Sequence, residues 1–165
     1  MKIRSLGVLA VSLVLALSVV SGCGYAVREA PPFKAIRIGR IENGTFEPKL
    51  DDRLLEALGR KLIERGIRVS PESEYELSGR ITSLRLRSRA EKDDLDYEYD
   101  VRASGDFYLT MPDGEKRKLW AGGELIVSFT ASSDALGLIV QKDSAIREAL
   151  KNMADSIALS IVSLK

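Results

Sequence analysis

From Leu95 to Met111, apolar or small residues take every second position: Leu95, Tyr97, Tyr99, Val101, Ala103, Gly105, Phe107, Leu109 and Met111. Asp96, Glu98, Asp100, Arg102, Ser104 and Asp106 fill the places between. A helix, turning about 100° per residue, would scatter such a pattern around its surface, whereas a strand sends successive side chains to opposite faces. The alternation therefore requires a long strand with one buried face and one wet face, as in an antiparallel sheet covered on a single side. Any fold for this chain has to be built around that strand.

The flanking segments supply the partners. Lys34 to Ile41 alternates, with Ile36 and Ile38 on one side, and reads as a first strand. Asn43-Gly44-Thr45 marks a turn, and Pro48 stands where a helix begins. Leu50, Leu54, Leu55, Leu58, Leu62 and Ile63 recur by threes and fours, which predicts an amphipathic helix stopped by Gly66. A second strand runs from about Tyr75 to Arg87. Its phase slips between Ile81 and Leu84, so a bulge is expected near Thr82-Ser83. Ser88 to Asp94 reads as a polar connection to the long strand. Pro112-Asp113-Gly114 is a tight turn leading to a fourth strand around Leu119 to Ala131, with Gly122-Gly123 marking a bulge or close packing within it. After a small-residue loop from Ala131 to Gly137, Ile146, Ala149, Leu150, Met153, Ile157, Ile161 and Leu164 keep helical spacing in a last element over about Ile139 to Leu164. The order β-α-β-β-β-α predicts an α+β two-layer sandwich: a four-stranded, mainly antiparallel sheet with both helices on one face.

The N-terminus has a different character. Lys2 and Arg4 precede Leu6 to Val20, a run without charge that is too short to span a bilayer comfortably, since a spanning helix needs about 20 apolar residues. It fits a secretory leader. Val20-Ser21-Gly22-Cys23 has the form of a lipoprotein processing site, in which small residues let a peptidase close on the backbone and the Cys23 thiol takes up lipid. Residues 1–22 are thus expected to be a signal peptide cleaved after Gly22. Cys23 is expected to carry S-diacylglycerol and an N-acyl chain, residues 23–32 to form a tether, and 33–165 a single domain. Two or three acyl chains give lasting attachment where one is marginal. Gly24, in place of the Asp that retains lipoproteins at the inner membrane of enteric bacteria, favours the outer membrane.

Several chemistries lack their residues. The chain has no histidine, and its one cysteine is the expected lipid site, which removes the usual general base, the usual zinc ligand and the thiol nucleophile together. Loss of Lys2 and Arg4 turns the formal charge from +1 to −1, so no global field favours nucleic acid. Asp93, Asp94, Asp96, Glu98 and Asp100 lack the glycine and the spacing of a calcium loop. No cofactor, metal or catalytic residue is expected. Asn43-Gly44-Thr45 matches a glycosylation acceptor, yet Asn-Gly is also what a tight turn uses.

Cys23-Gly24-Tyr25 after the processing site, a strand, and Asn43-Gly44-Thr45-Phe46-Glu47-Pro48 opening a Leu-rich helix together resemble the lipopolysaccharide-assembly lipoprotein family, LptE. The hairpin set, the Leu119-Trp120 strand start and the long Ala-rich last helix agree in order, over nearly all of the mature chain. The resemblance implies a non-enzymatic sandwich that plugs the outer-membrane β-barrel LptD from the periplasmic side and assists lipopolysaccharide insertion, with lipopolysaccharide bound directly in some members. The wet face of the long strand suits a polar barrel interior. Phosphates on such a ligand call for cations, and Arg85, Arg87, Arg89, Lys92 and Lys142 are the expected contacts, the last at or just before the start of the final helix. The same arginines could equally be a solvated strand face paired with Asp96, Glu98 or Asp100. A free-standing periplasmic lipoprotein that binds another envelope component is the alternative function.

Overall fold

The computed structural model describes residues 33–92, 96–120, 123–132 and 135–164. Gly22, Cys23, the leader and the tether lie outside the described residues. The elements are β1 (Ala35–Asn43), α1 (Leu50–Glu64), β2 (Arg68–Val69), β3 (Glu76–Lys92), β4 (Asp96–Thr110), β5 (Lys116–Trp120), β6 (Leu125–Ser132) and α2 (Ala135–Val162).

The α+β class holds, with three corrections to the expected sheet. It has six strands, in the order β2-β1-β3-β4-β5 with β6 also on β4. It is mixed, because β1 runs parallel to both β2 and β3. The chain order is β-α-β-β-β-β-β-α. Parallel pairing follows from the α1 crossover, which returns the chain to the sheet in the same direction. The expected fourth strand is divided into β5 and β6, both antiparallel to β4 and both on its same side. β5 pairs with Phe107 to Thr110 and β6 with Asp96 to Ala103, leaving Ser104 to Asp106 without a strand partner on that side among the described residues. The interruption falls at the Gly122-Gly123 pair, of which Gly122 lies outside the described residues. The two-residue β2 is too short to show an alternating pattern.

β3 continues to Lys92, through most of the segment expected as a polar connection. It does so because each polar residue from Ser88 onward faces a strand partner on β4 or sits at a bulge. The expected bulge is present, with a register shift between Ile81 and Ser83, and a second lies between Ser88 and Ala90. The first bulge keeps Leu77 and Ile81 on the same face as Leu84, all of them packed in the core.

Leu50, Leu54, Leu58 and Leu62 are fully buried on α1, whereas Leu55 and Ile63 are exposed, so its buried stripe is narrower than the spacing implies. Lys49, not Pro48, caps the helix, with φ of 61°. Gly66, at φ 82°, ends it by a paired closure: its N–H donates to the Ile63 carbonyl at 2.9 Å and that of Ile67 to Leu62 at 2.9 Å. Arg53–Asp143 at 2.7 Å and Arg65–Asp155 at 2.9 Å tie α1 to α2 at the same sequence separation of 90 residues, so the helices run parallel. Half-exposed pairs of this kind contribute about 0.2–1 kcal/mol each. The larger stabilisation comes from burying Ile146, Leu150, Met153, Ile157 and Ile161 against the Leu face of α1 and the inner sheet face, at about 1.5–3 kcal/mol per large side chain.

Phe107 lies across two glycines of that inner face. A Cβ at Gly79 would overlap the Phe107 ring and come within 2.6 Å of the Asp106 carbonyl oxygen, and one at Gly105 would meet the same ring. Gly79→Ala is therefore expected to destabilise the fold by about 1–3 kcal/mol, the usual cost of forcing extra volume into a filled core. The midpoint of urea unfolding measures this, and an unchanged midpoint would show that the ring moves aside freely.

Candidate functional site

β1 ends at Asn43 while β3 runs on for eleven residues. Past the end of β1, the Asn43–Glu47 turn, the bulged part of β3 and the N-terminal half of α2 enclose a cleft of about 470 Å³. Leu84, Leu86, Val101 and Ile146 give it apolar walls, Lys142 and Glu47 give it charge, and Arg85 lies at its rim. Phe46 projects from the turn fully exposed, and Ile139, one helical turn before Lys142, is 63% exposed. Large apolar side chains set in water beside an open cleft are the departure from ordinary surfaces that merits a functional reading.

Local hydrogen bonds set the turn. Asn43 Oδ1 accepts from the Thr45 N–H at 3.0 Å and from Thr45 Oγ1 at 2.9 Å, while Asn43 Nδ2 donates to the Glu47 carbonyl at 2.7 Å. The Glu47 N–H donates to Thr45 Oγ1 at 3.2 Å, and the Gly44 N–H to the Ile81 carbonyl at 2.9 Å. The Asn43 amide, which a glycosylation motif would offer to an acceptor enzyme, is occupied in holding this turn.

The expected basic residues divide among three environments. Arg85 lines the cleft and faces Arg102 across the sheet. Like charges placed opposite repel, and Arg102 takes the acids within reach, Glu124 at 2.9 Å and Asp100 at 3.4 Å. Arg87 has Asp100 as its strand partner, yet that carboxylate serves Ser128, Arg102 and Arg89 instead. Arg89 sits at the second bulge, 3.5 Å from Asp100, as the paired-face reading anticipates. Lys92 closes β3 rather than lying in a loop, and its side chain is outside the described residues. Lys142 is well inside α2 rather than at its start, because the helix begins at Ala135. Its Nζ lies 2.7 Å from Glu47 Oε2. Lys142 is thus the cation inside the cleft, while Arg85, at its rim between Leu84 and Leu86, shares the outer sheet face with Arg102, Arg87 and Arg89.

Glu47, Phe46 and Ile146 belong to the site and were missed by residue type, since Glu47 and Phe46 read as parts of a turn and Ile146 as core. A Phe set in a polar turn was the available signal.

Asp100 anchors the outer cluster. It is 1% exposed although alternation puts it on the wet face. The Ser128 hydroxyl donates to it at 2.7 Å, and this bond, with the charges of Arg89 and Arg102, holds its carboxyl below the usual carboxylate range.

Two parallel helices on a mixed six-stranded sheet, open at one end to a cleft with apolar walls and a Lys142–Glu47 pair, define a small α+β sandwich. The model of the LptE family, described as lipopolysaccharide-assembly, matches residues 33–163, and the chain belongs to that family. Among solved structures, a minor lipoprotein from Acinetobacter baumannii is similar at 18% identity, covering 79% of this chain and 92% of its own, with a TM-score of 0.50. A lipoprotein from Caulobacter crescentus is similar at 19% identity, covering 74% and 88% with a TM-score of 0.49. The rare lipoprotein B from Shewanella oneidensis is similar at 12% identity, covering 76% and 95% with a TM-score of 0.44. No curated protein matches.

Because the native pKa of Asp100 is lowered, its contribution to stability is fully present above about pH 5 and is lost as pH falls through the native value. Asp100→Asn is expected to lower the unfolding midpoint at pH 7, with the gap to the unaltered chain narrowing as pH falls below the ordinary carboxylate value of 3.8. Chemical unfolding at several pH values measures it, and a gap independent of pH would remove the ionised carboxylate from the account.

Proposed function

We propose that this chain is a non-enzymatic subunit of lipopolysaccharide assembly, held at the periplasmic face of the outer membrane by acyl chains on Cys23 and seated within an LptD-type β-barrel. Family membership supports the assembly role. The observation that carries the finer reading is the cleft, where Lys142 stands beside Leu84, Leu86, Val101 and Ile146, with Arg85 at the rim. A ligand that presents phosphate and hydrocarbon close together meets both needs, the phosphate on the cations and the acyl chain on the apolar wall. Lipopolysaccharide has that composition. Arg87 extends the basic ridge along β3, and Lys92 is proposed as its far end.

The outer sheet face supports the seat in a barrel. Arg102 with Asp100 and Glu124, Lys118 with Asp106 at 2.8 Å, and Arg89 with Asp100 make it polar and largely self-neutralised. Such a surface suits the wet interior of a large barrel better than it suits lipid.

Three outcomes follow. The full chain, extracted from outer membranes in non-ionic detergent, is expected to copurify with a large β-barrel in about equal amount, and recovery as a lone monomer would oppose the seating. Cys23→Ser is expected to abolish incorporation of labelled palmitate. Arg85→Ala combined with Lys142→Ala is expected to weaken binding of purified lipopolysaccharide by about tenfold or more, the scale of losing two charged hydrogen bonds, and unchanged binding would remove the cleft from the reading.

A further inference from the structure

Among the described residues Glu47 is the one acid lining the cleft, and its side chain has no part in holding the turn that carries it. The turn is fixed by the Asn43 and Thr45 side chains and by the Glu47 main-chain N–H and carbonyl. The carboxylate is left over, and it reaches across the cleft to Lys142 at 2.7 Å. Both partners are about one-third exposed, at 30% for Glu47 and 34% for Lys142, so the pair stands where a ligand can reach it. In the empty cleft Lys142 is therefore neutralised by this one resident anion.

We propose that Glu47 is a built-in counter-ion that occupies Lys142 in the empty cleft and must be displaced by an incoming anionic group. This rests on the cleft being the anion site proposed above. A carboxylate carries one charge on two oxygens, whereas a phosphate monoester carries about −1.5 to −2 on three. The phosphate brings more charge and more acceptor oxygens to Lys142, so the exchange favours the phosphate over the resident carboxylate. Glu47 accordingly sets a threshold: weakly charged groups fail to dislodge it, and the cleft stays neutralised on its Lys142 side until a phosphorylated ligand arrives. The short tether between Asn43 and α1 keeps the displaced carboxylate close, ready to return when the ligand leaves.

The test measures binding of purified, fluorescently labelled lipopolysaccharide to the full chain in non-ionic detergent. Glu47→Gln removes the competing charge while leaving the turn hydrogen bonds in place, and it is expected to tighten binding by about two- to fivefold, the scale of a half-exposed ion pair. Glu47→Lys is expected to tighten it further. In a Lys142→Ala background the gain from Glu47→Gln is expected to vanish, because the coupling runs through that pair. Should Glu47→Gln fail to fold, Glu47→Asp, which keeps the charge and shortens the reach, is expected to tighten binding in the same direction. Unchanged or weaker binding by the folded Glu47 variants, alongside weaker binding by Lys142→Ala, would overturn the counter-ion role and leave the cleft reading standing. Full binding by both Arg85→Ala and Lys142→Ala would overturn the cleft reading and the counter-ion role with it.

Discussion

Antiparallel pairing of β3 with β4, continuous from Glu76–Thr110 to Lys92–Asp96 apart from two bulges, fixes the position of nearly everything else. Its inner face presents Leu77, Ile81, Val101, Phe107 and Leu109 to the helices. The register is held because a slip of one residue would send this whole set into water and bring Asp100 and Arg102 into the core. The bulge at Thr82 is part of that solution. Without it, Leu84 would turn outward and the helices would lose their floor beyond the end of β1. The pairing also outlasts β1, and the cleft exists because β3 continues where β1 has turned away toward α1.

Charge on the two sides of this ribbon is distributed unequally. On the outer face, Asp100, Asp106 and Glu124 are shared among Arg89, Arg102 and Lys118. Asp100 draws two arginines and a serine to one carboxylate, which leaves Arg87 facing a residue whose oxygens are already engaged. Across the sheet Arg85 meets Arg102 and not an acid. The unbalanced positive charge therefore collects on the β3 side of that outer face, at Arg85 and Arg87, through local competition for acids. The net charge of the whole chain, close to zero, gives no hint of it.

The long strand, both helices, the first bulge, the Gly66 stop and the Gly114 turn were legible in the residues, because each rests on a local rule: alternation, helical spacing, or a positive φ. The parallel placement of β1 was not. Direction within a sheet depends on how α1 packs back, and the alternation of Ile36 and Ile38 is the same in either direction. The break between β5 and β6 was half legible, since the Gly122-Gly123 pair signalled an irregularity and not its extent. Of the site, the cations were legible as residue types and their grouping was not. Arg85, Arg87 and Arg89 look equivalent in sequence, and only the second bulge and the single carboxylate of Asp100 separate Arg89 from the other two. Glu47 gave no signal at all, since a charged residue in a turn is what solvent alone would select.

The exposed apolar residues around the cleft bear on how the two proposed partners can be served at once. Leu136, Ile139 and Val140 occupy the first two turns of α2 and are 73%, 63% and 56% exposed, while Ile146, Leu150 and Met153 further along the same helix are buried. The first two turns of the helix thus set apolar side chains where water is the only solvent in the isolated chain. Helical propensity cannot account for them, because Lys or Glu at those positions would form the same helix with better solvation. A partner that removes this surface from water would gain roughly 25 cal/mol for each Å² covered. On the proposed reading that gain comes at the cleft end, next to Phe46 and Lys142, and the paired charges of the outer sheet face remain free to meet a polar barrel wall. Ligand and barrel then use different surfaces of one rigid sandwich, so occupation of one need not displace the other.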